Sequence, residues 1–300
     1  MIHLNYSLFD KGMRIYFLTV LLVLQLLSYA QTERKIYEIQ GNSSASSYVG
    51  QQLKTSGVVT AVFAASGKIG GFFMQDELGD NDATTSDGIF VATTSTIPVV
   101  GSKVQVTGTV AEYNGRTQLS SISAVQVVGT NYTLPIKKVV FPEGISNWET
   151  VEGMVLDFDQ TLYVSNNYDL RRYGQLSLTP KRNYIPTNQF ILDSDKYEAL
   201  VQENSYKLIL DDASTTSYPS PIPFLDANGT RRTGERINNL QAVVDYQTNK
   251  YVVYPIQSPV FYGNPRPITH DGIGDYNLKV CGLNVEYYLV DNWGQGYGAD

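Results

Sequence analysis

Two stretches of the 300-residue chain carry side chains dense enough to do chemistry. The first holds Asp76, Glu77, Asp80, Asp82 and Asp87 in one segment. Several carboxylates within reach of one another are what a hard cation such as Ca2+ takes as ligands. Their spacing matches no EF-hand loop, so a solvated acidic hairpin loop is the expectation, with Asp76, Asp80, Asp82 and Asp87 kept as candidate metal ligands. The second stretch holds Arg171, Arg172, Tyr173, Lys181, Arg182 and Tyr184. Arginine grips phosphate and tyrosine stacks on a base, so this is the candidate nucleic-acid contact. Surface ion pairs with Asp157, Asp159 or Asp169 are its plainer alternative. His270-Asp271 looks like half of a catalytic pair, but no nucleophile accompanies it and the neighbouring Gly272 points to a turn. Cys281 lies in an apolar run and reads as a packed small side chain.

The elements that must position these residues are mostly strands. Charged residues make up 17% of the chain, tyrosines number 22 and glycines 25, a mix that favours strands and turns. The net charge of -7 excludes a broad basic footprint for nucleic acid, leaving a local patch or a metal site. A single cysteine excludes an intrachain disulfide. Met13 to Gln31 has a basic start at Arg14, an apolar run from Ile15 to Leu27 and a Ser28-Tyr29-Ala30 ending. That is the pattern of a cleaved signal peptide, residues 1–30, with Met13 as an alternative start. Export to the periplasm or the exterior follows, with no stable membrane insertion after cleavage.

Strands are expected over Leu53–Phe63, Gly70–Asp76, Asp87–Thr93, Lys103–Tyr113 and Arg116–Val128, with Asn114-Gly115 as a two-residue hairpin turn. Five short strands with glycines at 57 and 108 suit a small closed barrel that bends at those glycines. The pattern then repeats. Gly101 matches Gly234, Val104 matches Ile237, Val110 matches Val243, Glu112-Tyr113 matches Asp245-Tyr246 and Leu119 matches Val252, all at one offset. "GGFFMQDE" is similar to "YKLILDDA", which sets Asp76 beside Asp212, and "TSGVVTAVF" is similar to "VEGMVLDFD". Duplication is the expected origin. The second copy carries an insertion, Asn166 to Ser205, with one helix capped by Asp195 and Glu198 and an apolar face of Tyr197, Leu200 and Val201. Such a helix is expected just before the closing hairpin. Ile36-Tyr37-Glu38-Ile39 reads as a short apolar alternation, and residues 263–277 as a Pro/Gly linker.

The fold class expected is therefore mainly β: two OB-like barrel modules in tandem, residues 31–135 and 136–262. After the linker, residues 278–300 would open a further domain. At this point the chain resembles the N-terminal OB-like region of secreted bacterial nucleases of the endonuclease/exonuclease/phosphatase superfamily. The residues that carry the likeness are "IYEIQG" (36–41), "GGFFMQDELGDNDATTSDGIFV" (70–91), "VTGTVAEYNGRTQL" (106–119), "VEGMVL" (151–156), "YDLRRYGQL" (168–176) and "NPRP" (264–267). "LKVCGLNVEYY", Leu278 to Tyr288, is similar to the strand that opens the catalytic α/β sandwich of those nucleases, with Asn284 on its asparagine. The resemblance implies phosphodiester hydrolysis of DNA, with RNA as a second substrate, assisted by Mg2+ or Mn2+. It also implies a metal-binding Glu and an Asp-His pair that these 300 residues do not supply. The expectation is a chain cut at the start of its catalytic domain and inactive by itself. A secreted, non-enzymatic OB module that binds nucleic acid, glycan or protein is the alternative.

Overall fold

The computed structural model describes residues 32–263; the segment read as a signal peptide, most of the segment read as a linker, His270, Cys281 and Asn284 lie outside the described residues. The described chain is mainly β, as its composition implies.

Barrel 1 is built from β1 (Gln52–Phe63), β2 (Gly71–Gln75), β3 (Gly88–Ala92), β4 (Lys103–Tyr113) and β5 (Arg116–Gly129). They close in the order β1-β2-β3-β5-β4, with β3 parallel to β5 and the other neighbours antiparallel. These strands begin and end within a residue or so of the expected segments. Inside the barrel pack Val59, Phe72, Met74, Ile89, Val91, Val104, Val106, Val110 and Leu119. Residues 36–40 form a helix, α1 (Ile36–Gln40), rather than an extended alternation. Ile36 and Ile39 are both fully buried in the barrel core, and a three-residue spacing puts two side chains on one face of a helix, not of a strand. Asp76, just after β2, accepts a hydrogen bond from the Ile36 amide at 3.1 Å and so holds the start of this helix.

Barrel 2 repeats the order. β7 (Val155–Asn166), β8 (Leu176–Thr179), β9 (Leu208–Leu210), β10 (Arg236–Gln247) and β11 (Lys250–Pro255) run β7-β8-β9-β11-β10, and β10 pairs with β7 to complete the ring. β9 is parallel to β11, as β3 is to β5. Short strands β6 (Ile136–Val139) and β12 (Phe261–Tyr262) extend the sheet beside β7 and β10. A one-turn helix, α2 (Leu170–Tyr173), joins β7 to β8, and α3 (Asp195–Ser205) lies between β8 and β9.

Three details of the sequence reading change. The helix α3 follows the second strand of its barrel, not the third, and its N-cap is Ser194, whose hydroxyl accepts from the Tyr197 amide at 3.3 Å. "YKLILDDA" contains β9, the third strand, so its counterpart is β3 and Asp212 is not equivalent to Asp76. The constant offset fails within β10, where the register against β7 shifts between Asn238 and Leu240 and Asn239 has a φ of 53°. That bulge adds one residue. Beyond it Val110 corresponds to Val244 and Leu119 to Val253, all four in their barrel interiors. The turns agree with the longer count. Asn114-Gly115 and Thr248-Asn249 both have two positive φ angles, as a type I′ hairpin requires.

Candidate functional site

The outer face of β1, β2 and β3 is not open. Along β2, Phe72 and Met74 point into barrel 1 while Phe73 points out; along β3, Ile89 and Val91 point in while Phe90 points out. Ala61, Phe73 and Phe90 pack with Val155, Val243, Val252 and Tyr254 of barrel 2 in one buried cluster. The Phe73 and Tyr254 rings lie 6.3 Å apart and the Phe63 and Tyr254 rings 5.2 Å. Backbones also meet, since a Cβ on Gly88 would sit 2.2 Å from the Gly153 carbonyl carbon. Polar groups are paired across the joint: the Gln75 side chain accepts from the Val155 amide at 3.1 Å, and Glu152 accepts from the Thr117 amide at 2.9 Å. Burial, then the nearby Glu149, pushes the Glu152 carboxyl well above its ordinary range.

Arg116 stands at the centre of the joint. Its guanidinium lies 3.9 Å from the Phe90 ring centroid and donates to both oxygens of the fully buried Asp245, at 3.1 and 3.2 Å. Tyr254 donates to the same carboxylate at 2.8 Å. Burial raises the Asp245 pKa, and Arg116 is the chief opposing influence.

Where the two closing hairpins emerge from this joint they border a cleft of about 610 Å³. Tyr113 and Asn114 come from the β4–β5 hairpin, and Tyr246, Gln247, Thr248 and Lys250 from the β10–β11 hairpin. Tyr173 and Gln175 come from the β7–β8 connection, and Asp211 with Ser214–Ser217 from the segment after β9. Asp211 is only 2% exposed and anchors this wall. It accepts from the side-chain amides of Gln175 and Gln247 and from the Ala213 amide, while Lys250 donates to Gln175 at 2.7 Å. Burial is the main reason its pKa is pushed up to about 7. These bonds fix the Gln175 and Gln247 side-chain amides in place.

The candidate residues read from sequence divide between sites. Tyr173 lines this cleft, with Arg172 5.0 Å over its ring and Arg171 beside it on α2. Lys181, Arg182 and Tyr184 line a different cleft of about 740 Å³, against Tyr163, Leu200 and Glu203. There Lys181 is paired with Glu203 at 2.5 Å, and Arg182 lies 5.7 Å over Tyr184. The strand β8 separates the two halves, so the basic-aromatic stretch does not form one patch.

The acidic segment does not assemble a cage either. Among the described residues no group of three or more His, Cys, Asp or Glu side chains is placed to hold a metal ion. Asp76 is turned inward to α1, with its pKa raised to about 6 by burial and then by Asp87. Asp80 accepts from the Asp82 amide at 2.9 Å, and Asp82 from the Thr84 amide at 2.9 Å, both as local turns. Asp87 packs against Gly79. The Ca2+ site considered for these carboxylates is therefore not assembled among the described residues, and no chemistry is derived through them.

Sequence reading missed Tyr113, Gln175, Asp211, Gln247 and Lys250, because the cleft draws on widely separated segments of the chain. One signal was present: "GFFM" and "GIFV" are apolar on both faces of a strand, which marks a strand covered on both sides. No helix among the described residues is long and apolar enough to cross a membrane. A scan against models of protein families finds no match for this chain, and a search of curated proteins returns no similar sequence.

Proposed function

We propose that residues 32–263 are the substrate-positioning part of an exported, metal-dependent nuclease that acts on DNA, with RNA as a second candidate substrate. The observation that carries this reading is the pair of OB-like barrels joined face to face beside an open, tyrosine-bearing cleft. OB-like barrels present loops of this kind to oligonucleotides and oligosaccharides. The likeness of residues 36–262 to the front of superfamily nucleases supports the choice of nucleic acid. In this reading hydrolysis belongs to the domain that Leu278–Tyr288 begins, with Asn284 at its metal-phosphate site.

The test has two arms on the 300-residue chain. Incubated with plasmid DNA and Mg2+, the chain is expected to leave the plasmid intact; clear cleavage overturns the division of labour. With a fluorescent single-stranded oligonucleotide at low salt, measurable binding is expected, and its absence overturns the positioning role. A second reading, a secreted binding module without catalysis, is favoured by the many amides and hydroxyls around the cleft, which also suit a glycan. Sequence of the gene past Asp300 separates the two: an in-frame Glu and a late Asp-His pair support the nuclease, and a stop codon supports the module.

A further inference from the structure

We infer that the cleft between the two closing hairpins seats unpaired nucleobases, with Tyr113 and Tyr173 as the stacking platforms. This rests on the nucleic-acid reading above and gives it a place and a mode. The outer β2–β3 face, which an OB barrel commonly offers to a strand, is unavailable in barrel 1 because Phe73 and Phe90 are buried against barrel 2. The loops at the joint are what remain. A cleft of about 610 Å³ falls within the ordinary size of a ligand site. Tyr113 and Tyr173, from different barrels, are 58% and 40% exposed, so each keeps ring surface for a ligand.

The charge pattern favours stacking over phosphate capture. Arg116 is committed to Asp245 and to the Gln118 side chain at 2.8 Å, so it has little to give a phosphate. Lys250 lines the cleft and Arg172 lies over the Tyr173 ring, and these two are the cations assigned to the backbone of a bound strand. Side-chain amides at Asn114, Gln175 and Gln247 can both donate and accept, as base edges do. Bases in a duplex are stacked on one another, so only a single strand offers its base faces. An acidic protein can bind such a strand because each base-ring stack contributes without a charge. The consequence is a shallow salt dependence. With about one or two phosphate contacts, affinity falls only about three- to seven-fold between 50 and 200 mM salt.

The experiment is fluorescence anisotropy of a labelled oligothymidylate with the 300-residue chain at both salt concentrations. Tyr113→Ala/Tyr173→Ala is expected to bind at least about ten-fold more weakly, and Tyr113→Phe/Tyr173→Phe to bind as the parent does. The Phe pair keeps the rings, so equal loss in both variants overturns the stacking role. If the parent binds and the Ala pair binds equally well, the cleft assignment falls while the nucleic-acid reading stands. If Lys181→Ala/Arg182→Ala loses more than the tyrosine pair, the site belongs in the second cleft. A salt effect of 100-fold or more, on the order expected for many phosphate contacts, also overturns the inference. If the parent binds no oligothymidylate, both readings fall. Binding of a neutral glucan oligosaccharide in its place would assign the cleft to sugar.

Discussion

Arg116 is a charged side chain only 6% exposed, held between an aromatic ring and a carboxylate. Removing one partner of such a pair strands the other, which costs about 3–5 kcal/mol. Arg116→Ala should therefore lose stability by about that much in urea denaturation. Arg116→Met/Asp245→Leu, which removes both charges, should lose less than the single change. Asp76 gives a second prediction at this scale. Its folded pKa of about 6 lies above the ordinary 3.8, so the native state binds its proton more tightly than the unfolded chain does. That favours the fold below about pH 4 and is lost as pH climbs through 6. Asp211, at about 7, acts in the same direction up to a higher pH. Asp76→Asn keeps an acceptor for the Ile36 amide and removes the charge. Its melting temperature relative to the parent should rise steadily from pH 4 to pH 7, and a flat difference would contradict the cause given.

Among the elements, the hairpins and the glycines at the joint matter most. The Asn114-Gly115 turn was legible because only a few residue types tolerate two positive φ angles in succession. Its counterpart Thr248-Asn249 carries no glycine, so local chemistry concealed it. The bulge at Asn239 was equally hidden, since its signal is a pairing register and not a residue type. Gly88 and Gly153 show what the joint demands. Neither barrel alone needs a missing side chain at Gly88, but the other barrel's backbone lies where its Cβ would be. Gly88→Ala should destabilise by about 1–3 kcal/mol or more by forcing the barrels apart, measurable as a lower urea midpoint. The period-two alternation gave the strands of barrel 1 to within a residue or so. It failed at α1, where two isoleucines in a five-residue helix look the same as a short strand.

For residues 32–263 the shared cluster of Phe73, Phe90 and Tyr254 joins the two barrels, which should therefore unfold as one cooperative unit. Phe73→Ala removes a fully buried ring, a loss of about 3–5 kcal/mol. Trp148 is partly buried and packs against the core of barrel 2, so it reports on the barrel that does not contain Phe73. In a Trp293→Phe background, Trp148 fluorescence and far-ultraviolet circular dichroism should report one coincident transition, and Phe73→Ala should shift both equally. Two separated transitions would show that the barrels unfold independently.

Local sequence was enough for the strand content, the five strands of barrel 1, the existence of a repeat and the place of the inserted helix in the chain. Those follow from alternation, turn chemistry and capping, which act between residues a few positions apart. The tertiary structure decided the rest: which face of barrel 1 is covered, that the basic-aromatic stretch is divided by β8, and that Tyr113, Tyr173, Asp211 and Lys250 share a cleft. Residues brought together from distant segments leave no mark in local spacing, because the forces that join them act through packing between barrels.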